Sequence, residues 1–475
     1  MSDLRLPFDA DTYAARRRRL AEKLESGLVL LLGNGRSAAN YGGNPYPFRQ
    51  DSTFLYFAGL DRPGVDLVID ADAGRATLFG EDPSLDNIVW DGPQPSIGEQ
   101  AARAGIEETA LPEALVAVVD EARKGARDVH MLPPYREAHR CRLGALLDVP
   151  PGATDERASE RLIRAVVAQR EAKTDAEVAE IETALRTTRQ MHLLAMRETK
   201  PGAVEQEVAG RMEGIARAAG GETAFSSIFS THGEIFHNSP SERRLEDGAL
   251  ALCDAGGTAP SHYAGDITRT TPVSGSFSEK QRAVYEIVLE AQEAAIEATQ
   301  PGATFKDVHV LAARRLAAGL KEIGLMTGDP GEAVAEGAHA LFFPHGLGHM
   351  LGLDAHDMEA LGEDYVGYDD PTVEDGVQRS YQFGLNALRL GRKLKPGFVL
   401  TVEPGCYFIP PLIEQWRSEG RHADFIDYDA VEGYEDFGGI RIEDDVLVTA
   451  DGPQVLGEPI PKQPGEVEAL AGRTA

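Results

Sequence analysis

Cys253-Asp254-Ala255-Gly256-Gly257-Thr258-Ala259-Pro260-Ser261, continued by Gly265-Asp266-Ile267-Thr268-Arg269-Thr270, is the stretch that decides how this chain folds. Two aspartates stand at the ends of apolar runs separated by a Gly- and Pro-containing turn, the pattern of two buried strands joined as a hairpin. The midpoint between Asp254 and Asp266 is Pro260, so the spacing predicts the two aspartates opposite each other on neighbouring strands. Farther along come His345-Gly346-Leu347-Gly348-His349, Val402-Glu403-Pro404-Gly405 and Ile442-Glu443-Asp444-Asp445, whose carboxylates again sit within or beside apolar runs. Several carboxylates in one core repel each other or take up protons, and metal is the usual remedy. Two divalent cations would balance Asp254, Asp266, Glu403 and Glu443, and oxygen donors with a single imidazole suit manganese-like ions. Strand alternation puts Arg441 on the same face as Glu443, where it would orient a bridging carboxylate.

A repeat surrounds these phrases. Thr174 with Glu177, and Ser278 with Gln281, form capping-box patterns that open two long helices. The first helix ends at Lys200-Pro201-Gly202-Ala203 and the second at Gln300-Pro301-Gly302-Ala303, each followed by another helical stretch. Gly248 precedes Asp254 by six residues and Gly397 precedes Glu403 by six; Gly256 and Gly405 follow the acids by two. A later strand in each half supplies a second acid, Asp266 or Glu443. Two similar halves facing each other across one site are expected. Upstream, Leu28 to Leu32 and Val65 to Ile69 read as strands of an α/β layer, and the character changes near Glu171 to Thr174. The sequence therefore predicts an α/β N-terminal domain over 1–170 and an α+β catalytic domain with a pseudo-twofold internal repeat over 171–475.

The length of 475 residues exceeds one ordinary core. Forty-seven basic residues against 77 acidic ones give a formal charge of −30, which argues against nucleic acid or an anionic membrane as partner. Cys141, Cys253 and Cys406 imply no disulfide framework, and Cys253 and Cys406 read as small buried residues. No apolar stretch reaches the roughly 18–20 residues that span a bilayer, and no apolar leader segment follows Arg16 to Arg19, so a cytoplasmic enzyme is expected.

From about Thr174 to Thr449 the chain resembles the pita-bread (creatinase/aminopeptidase-like) metallopeptidases, the group of methionine aminopeptidase, aminopeptidase P and prolidase. Asp254-Ala255-Gly256, Gly265 to Thr270, His345 to His349, Glu403-Pro404-Gly405 and Arg441 to Asp445 carry the likeness in the family's order. Phe48-Arg49-Gln50-Asp51-Ser52, followed by Phe54-Leu55-Tyr56-Phe57, resembles the N-terminal domain of the proline-specific branch. The resemblance implies that Asp254 chelates one metal, Asp266 and Glu443 bridge two, and His349 and Glu403 complete the other shell. Manganese is the implied ion, with cobalt or zinc as substitutes. Glu403 would move the proton, His237 and His356 would hold the scissile carbonyl and its oxyanion, and His345 would line the proline pocket. Plainer readings stand beside these: His237 as a loop histidine, Arg441 as a structural ion-pair partner, His262 as a surface histidine near the hairpin tip. One departure concerns the family's Gly-Ser-Gly-rich loop and tyrosine, replaced here by Phe225 and Ser230-Thr231-His232-Gly233-Glu234.

Two proline-specific branches remain. Gly384-Leu385-Asn386-Ala387-Leu388-Arg389 and the insertion from Tyr407 to Gly439 resemble prolidase, in which an arginine fork reads the free carboxylate of a dipeptide. Phe48 to Ser52 and Val89-Trp90-Asp91-Gly92 look more like aminopeptidase P, where such a tryptophan can reach a neighbouring subunit's site. An Xaa-Pro dipeptidase is the leading expectation, an Xaa-Pro aminopeptidase for longer peptides the alternative, and a metal-free peptide-binding module or creatinase-like hydrolase the remote ones. Arg389 has its own plain reading as a solvated arginine near Arg392 and Lys393. Small proline-containing peptides are the expected partners, and a homodimer or homotetramer is implied by the resemblance.

Overall fold

The computed structural model of the protein describes residues 6–369, 372 and 376–472. The chain forms two compact units, Met1–Arg170 with Ala360–Gly362, and Glu171–Glu359 with Glu363–Ala475.

In the first unit Leu28–Leu32 is apolar throughout and buried along its whole length, so it takes the interior of a sheet. It pairs antiparallel with Asp66–Asp70 and parallel with Val129–Met131, and Arg75–Phe79 and Glu108–Ala110 complete five strands. The second strand begins at Asp66, one residue later than the apolar run suggests. Asp66 tolerates burial because Arg142 Nη1 donates to it at 2.7 Å. Val68, Phe79, Val119 and Leu143 pack the sheet against the helices Ala114–Lys124 and Glu137–Leu147.

The second unit is built twice over. Thr174 and Glu177 exchange hydrogen bonds at the start of helix Asp175–Glu198, and Ser278 and Gln281 do so at the start of Glu279–Ala298. Helices Glu205–Ala218 and Phe305–Glu322 follow in the two halves. The backbone reproduces the repeat bond for bond. Gly202 N donates to Leu245 O and Leu245 N to Ala203 O, while Gly302 N donates to Leu394 O and Leu394 N to Ala303 O, all at 2.8 Å. Gly248 and Gly397, at φ of 88° and 92°, turn the chain into the two central strands through a region that side chains disfavour.

Those strands, Leu250–Ala255 and Val399–Val402, each have an antiparallel neighbour on both sides. Ile228–Ser230 and Ile267–Pro272 flank the first. Asp444–Thr449 and the backbone around Met350 flank the second, with Thr401 N donating to His349 O at 3.0 Å. Met191, Met212, Phe229 and Cys253 are part of the apolar core behind the first strand. Cys253 and Cys406 are buried free thiols and Cys141 is an exposed one.

The hairpin register differs from the predicted one. Asp254 lies opposite Thr268, not opposite Asp266. Ala259 N donates to Tyr263 O at 2.8 Å and His262 sits at φ 71°, so the loop is centred on Ser261 rather than Pro260. Asp266 is thus diagonal to Asp254. Because the displacement is two residues, both carboxylates keep one face. His262 is half-buried in this loop.

Candidate active site

Each acid is delivered by the end of a strand. Asp254 occupies the penultimate position of Leu250–Ala255, Asp266 immediately precedes Ile267–Pro272, and Glu403 immediately follows Val399–Val402. Glu443 sits between Gly439–Arg441 and Asp444–Thr449, bridged to Thr268. His349 reaches the same place on the backbone paired with Val399–Val402. Gly348 makes that pairing possible, since a Cβ there would lie 2.0 Å from the Thr401 carbonyl oxygen. All five line one cavity of about 660 Å³.

Ligand atoms of Asp266, His349 and Glu443 lie within 4.8 Å of one another. His349 Nε2 is 3.6 Å from Asp266 Oδ2 and 3.5 Å from Glu403 Oε1. Its Nδ1 is 3.1 Å from the Met350 carbonyl, which leaves Nε2 as the nitrogen facing the acids. Arg441 Nη2 donates to Asp254 Oδ2 at 2.5 Å, while the buried Asp254 Oδ1 meets no hydrogen-bond partner among the described residues.

Electrostatics point the same way. Burial first, then Glu443 and Asp254, holds the Asp266 carboxyl well above the usual range, and burial with Glu403 and Asp254 does so for Glu443. Burial also raises Asp254 against the pull of Arg441, and lifts Glu403 to about 7. Burial pushes His349 well below its ordinary value, so its imidazole is neutral and able to ligate. Crowded acids with raised proton affinity, an orphaned carboxylate oxygen and a neutral imidazole are the donor set that divalent cations neutralise. The residues fit a metal centre.

The remaining residues divide into those brought to this cavity and one that is not. His237, His345, His356, Arg389 and Arg441 all line it. His356 lies with its ring centroid 3.9 Å from that of His349, and its Nδ1 is held by Glu359. His345 Nε2 is 2.8 Å from Tyr407 Oη, and burial drives its imidazole down to about 3. Arg389 donates to Glu359 and, at 3.0 Å, to Glu363, so it is paired although 35% of its side chain is exposed. Phe225, the residue of the departure noted above, lines the same cavity. Trp90 stands instead in the first unit, 83% exposed, on the helix Leu85–Asp91 in which no residue is buried.

Arg441 differs from expectation in one respect. Its direct carboxylate contact is Asp254, and it meets Glu443 only through Thr268, whose hydroxyl accepts from Arg441 Nε at 3.0 Å and donates to Glu443 Oε2 at 2.6 Å. The shifted hairpin register explains this, because it sets Thr268 beside Asp254.

Several residues escaped the sequence reading. Thr268 positions Glu443, Thr401 Oγ1 donates to Glu403 Oε1 at 3.2 Å, and Asp445 Oδ2 accepts from Asp266 N at 3.0 Å. Tyr407 Oη, besides meeting His345, accepts from Arg441 Nη1 at 3.0 Å. All four stand an even number of residues from a site acid, and strand alternation extended by one or two steps would have found them.

The model of metallopeptidase family M24 matches residues 179–450, and that of the aminopeptidase P N-terminal domain matches residues 13–130. The chain is 29% identical to a human protein named Xaa-Pro dipeptidase, over 97% of this chain and 93% of that one. It is 31% identical to an Escherichia coli (strain K12) protein named Xaa-Pro aminopeptidase, over 96% and 97%. Among solved structures, zinc-substituted E. coli aminopeptidase P in complex with product superposes with a TM-score of 0.78 at 29% identity, covering 98% of each chain. Pseudomonas aeruginosa aminopeptidase PepP gives 0.77 at 28%.

Proposed function

The chain belongs to metallopeptidase family M24, and from that premise we propose that it hydrolyses the bond between any residue and a following proline, with dipeptides as preferred substrates. The observation that carries this reading is the convergence of Asp254, Asp266, His349, Glu403 and Glu443 on one cavity, with Asp266, His349 and Glu443 within 4.8 Å.

These five residues would hold two divalent cations, for which we propose manganese, the oxygen-rich set with one imidazole being its natural environment. Bound there, such ions supply Lewis acidity and a nucleophile at neutral pH. Glu403 lines the cavity beside His349, with Oε1 3.5 Å from its Nε2, and is the carboxylate we assign to take up a proton and pass one to the leaving proline nitrogen. His237 and His356 offer ring nitrogens to the scissile carbonyl. His345, fixed by Tyr407 and flanked by Phe236 and Phe343, forms an apolar wall suited to a proline ring. Arg389 lines the same cavity and supports the dipeptide preference, since a guanidinium reads a free carboxylate.

Aminopeptidase P activity on longer peptides is the second reading, favoured by the similarity to the E. coli enzyme. We also propose a cytoplasmic homo-oligomer, a dimer or tetramer. No helix among the described residues is long and apolar enough to cross a membrane, Cys141 is a free exposed thiol, and Leu85, Val89 and Trp90 stand exposed on one short helix. A formal charge of −30 disfavours nucleic acid. The test is hydrolysis of an Xaa-Pro dipeptide and of the same peptide extended by two residues, with Mn²⁺ and after chelation. Metal-dependent cleavage that is faster on the dipeptide than on the longer peptide supports the first reading, and preferred release of the first residue from the longer peptide supports the second. Cleavage of neither with metal present refutes both.

A further inference from the structure

One carboxylate joins two parts of the cavity that the proposed reaction uses separately. Glu359 Oε1 accepts from Arg389 Nη1, and its other oxygen, Oε2, contacts His356 Nδ1. Glu363 Oε1 takes a second bond from the same Arg389 Nη1 at 3.0 Å, and its other oxygen, Oε2, accepts from Arg379 Nη2 at 2.5 Å. Both glutamates therefore grip one nitrogen of the guanidinium. Among the described residues nothing hydrogen-bonds Nη2 or Nε, so the edge suited to a bidentate carboxylate stays available. Behind Arg389 a side pocket of only about 20 Å³, walled by His349, His356 and Glu359, has room for about a single water. The guanidinium and the imidazole are thus mechanically linked across a space too small for a substrate group.

We propose that Glu359 is a positioning residue that couples recognition of the proline carboxylate to the setting of His356. A dipeptide carboxylate on the Nε–Nη2 edge fixes Arg389. Arg389 fixes Glu359, and Glu359, by engaging Nδ1, leaves His356 Nε2 as the nitrogen presented to the scissile carbonyl. A peptide extended beyond proline brings no carboxylate to Arg389 and does not draw on this linkage. The substrate class singled out is the free Xaa-Pro dipeptide, and the inference rests on the Xaa-Pro reading above.

The test uses the full-length, manganese-loaded protein with three substrates: Ala-Pro, its C-terminal amide, and Ala-Pro extended by two residues. Glu359→Ala is expected to lower kcat/KM for the dipeptide by about 10- to 100-fold more than for the amide, the scale of a lost charge-assisted bond. Adding Arg389→Ala should bring little further loss on the dipeptide, since the two side chains act as a unit. Glu359→Gln keeps an oxygen for Arg389, so the dipeptide KM should return to within about threefold of wild type while kcat stays low on all three substrates, His356 having lost its anionic partner. Equal losses on all substrates for Glu359→Ala, or additive effects of the two alanine substitutions, overturn the coupling and leave the Xaa-Pro reading intact. A wild type that cleaves the extended peptide but not the dipeptide overturns the coupling as well. No cleavage of any of the three overturns both.

Discussion

Asp444→Asn isolates the interaction that anchors the strand following Glu443, and it does so away from the oxygens proposed to hold metal. Asp444 Oδ1 accepts from Arg269 Nη2 at 2.6 Å, and Oδ2 accepts from Lys462 Nζ at 2.7 Å and Gln292 Nε2 at 2.9 Å. Arg269 also donates to the carbonyls of Thr268, Glu443, Ile460 and Pro461, and only 1% of its side chain is exposed. Burial works against the Asp444 charge, but Arg269 and Lys462 more than offset it and hold the carboxyl at about 2. Against an ordinary 3.8 that is about 2–3 kcal/mol in favour of the ionised folded form. The asparagine also leaves Arg269 buried without its counter-charge, which costs about 3–5 kcal/mol for a broken buried pair. We expect a destabilisation of about 3–5 kcal/mol, seen as a fall of about 1–3 M in the urea midpoint of the catalytic unit. The assay is intrinsic fluorescence of metal-free protein. Of the chain's two tryptophans, Trp416 is buried in this unit at 1% exposure while Trp90 is 83% exposed, so the change reports chiefly on Trp416. The folded carboxyl lies below its unfolded value, so its contribution is complete above about pH 4 and fades as the pH falls towards about 2. A midpoint shift worth less than about 1 kcal/mol would refute this account of the strand's anchorage.

Further outcomes follow from the same site. Glu403 is raised from 4.5 to about 7, so metal-free folded protein binds more protons than unfolded protein between these values; its melting temperature should fall as pH rises from 5 to 7.5, and metal-loaded protein should show a much flatter profile by calorimetry. Arg441→Lys removes a fork that serves Asp254, Thr268 and Tyr407 together, and should lower kcat by about 100-fold with metal content retained, checked by kinetics beside elemental analysis. Tyr407→Phe deletes a hydroxyl shared by His345 and Arg441 and should cost about tenfold in kcat/KM without unfolding the protein, as circular dichroism will show.

Much of this arrangement was legible because it is made of local rules. The capping boxes at Thr174 and Ser278 and the matched Gly248 and Gly397 obey backbone constraints that residue types announce. The hairpin register was not legible in detail. A loop centred on Ser261 and one centred on Pro260 use the same turn residues, and the choice lies in the left-handed conformation of His262. The even displacement preserved the face of Asp266 even though its partner was misassigned. Contacts between distant segments were harder still. That Glu359 would meet both His356 and Arg389, or that Tyr407 would meet His345, depends on how loops cross the cavity, and no periodicity encodes that.

The flanking strands of the two halves carry one more consequence. By register, Ser230, opposite Leu252, occupies in the first half the place that His349, opposite Thr401, occupies in the second. Ser230 spends its hydroxyl on the buried Glu205 at 2.9 Å, whereas His349 turns Nε2 to the acids. A framework repeated in its turns and central strands is therefore chemically one-sided at this position, with an imidazole aimed at the acids in one half and a hydroxyl turned away from them in the other. Two cations held there, as proposed, would be unlike neighbours: one partly softened by the His349 imidazole, the other held by carboxylates. They should load in order, exchange at different rates and discriminate differently between zinc and manganese. A peptide, which has a direction, meets a site that has one too.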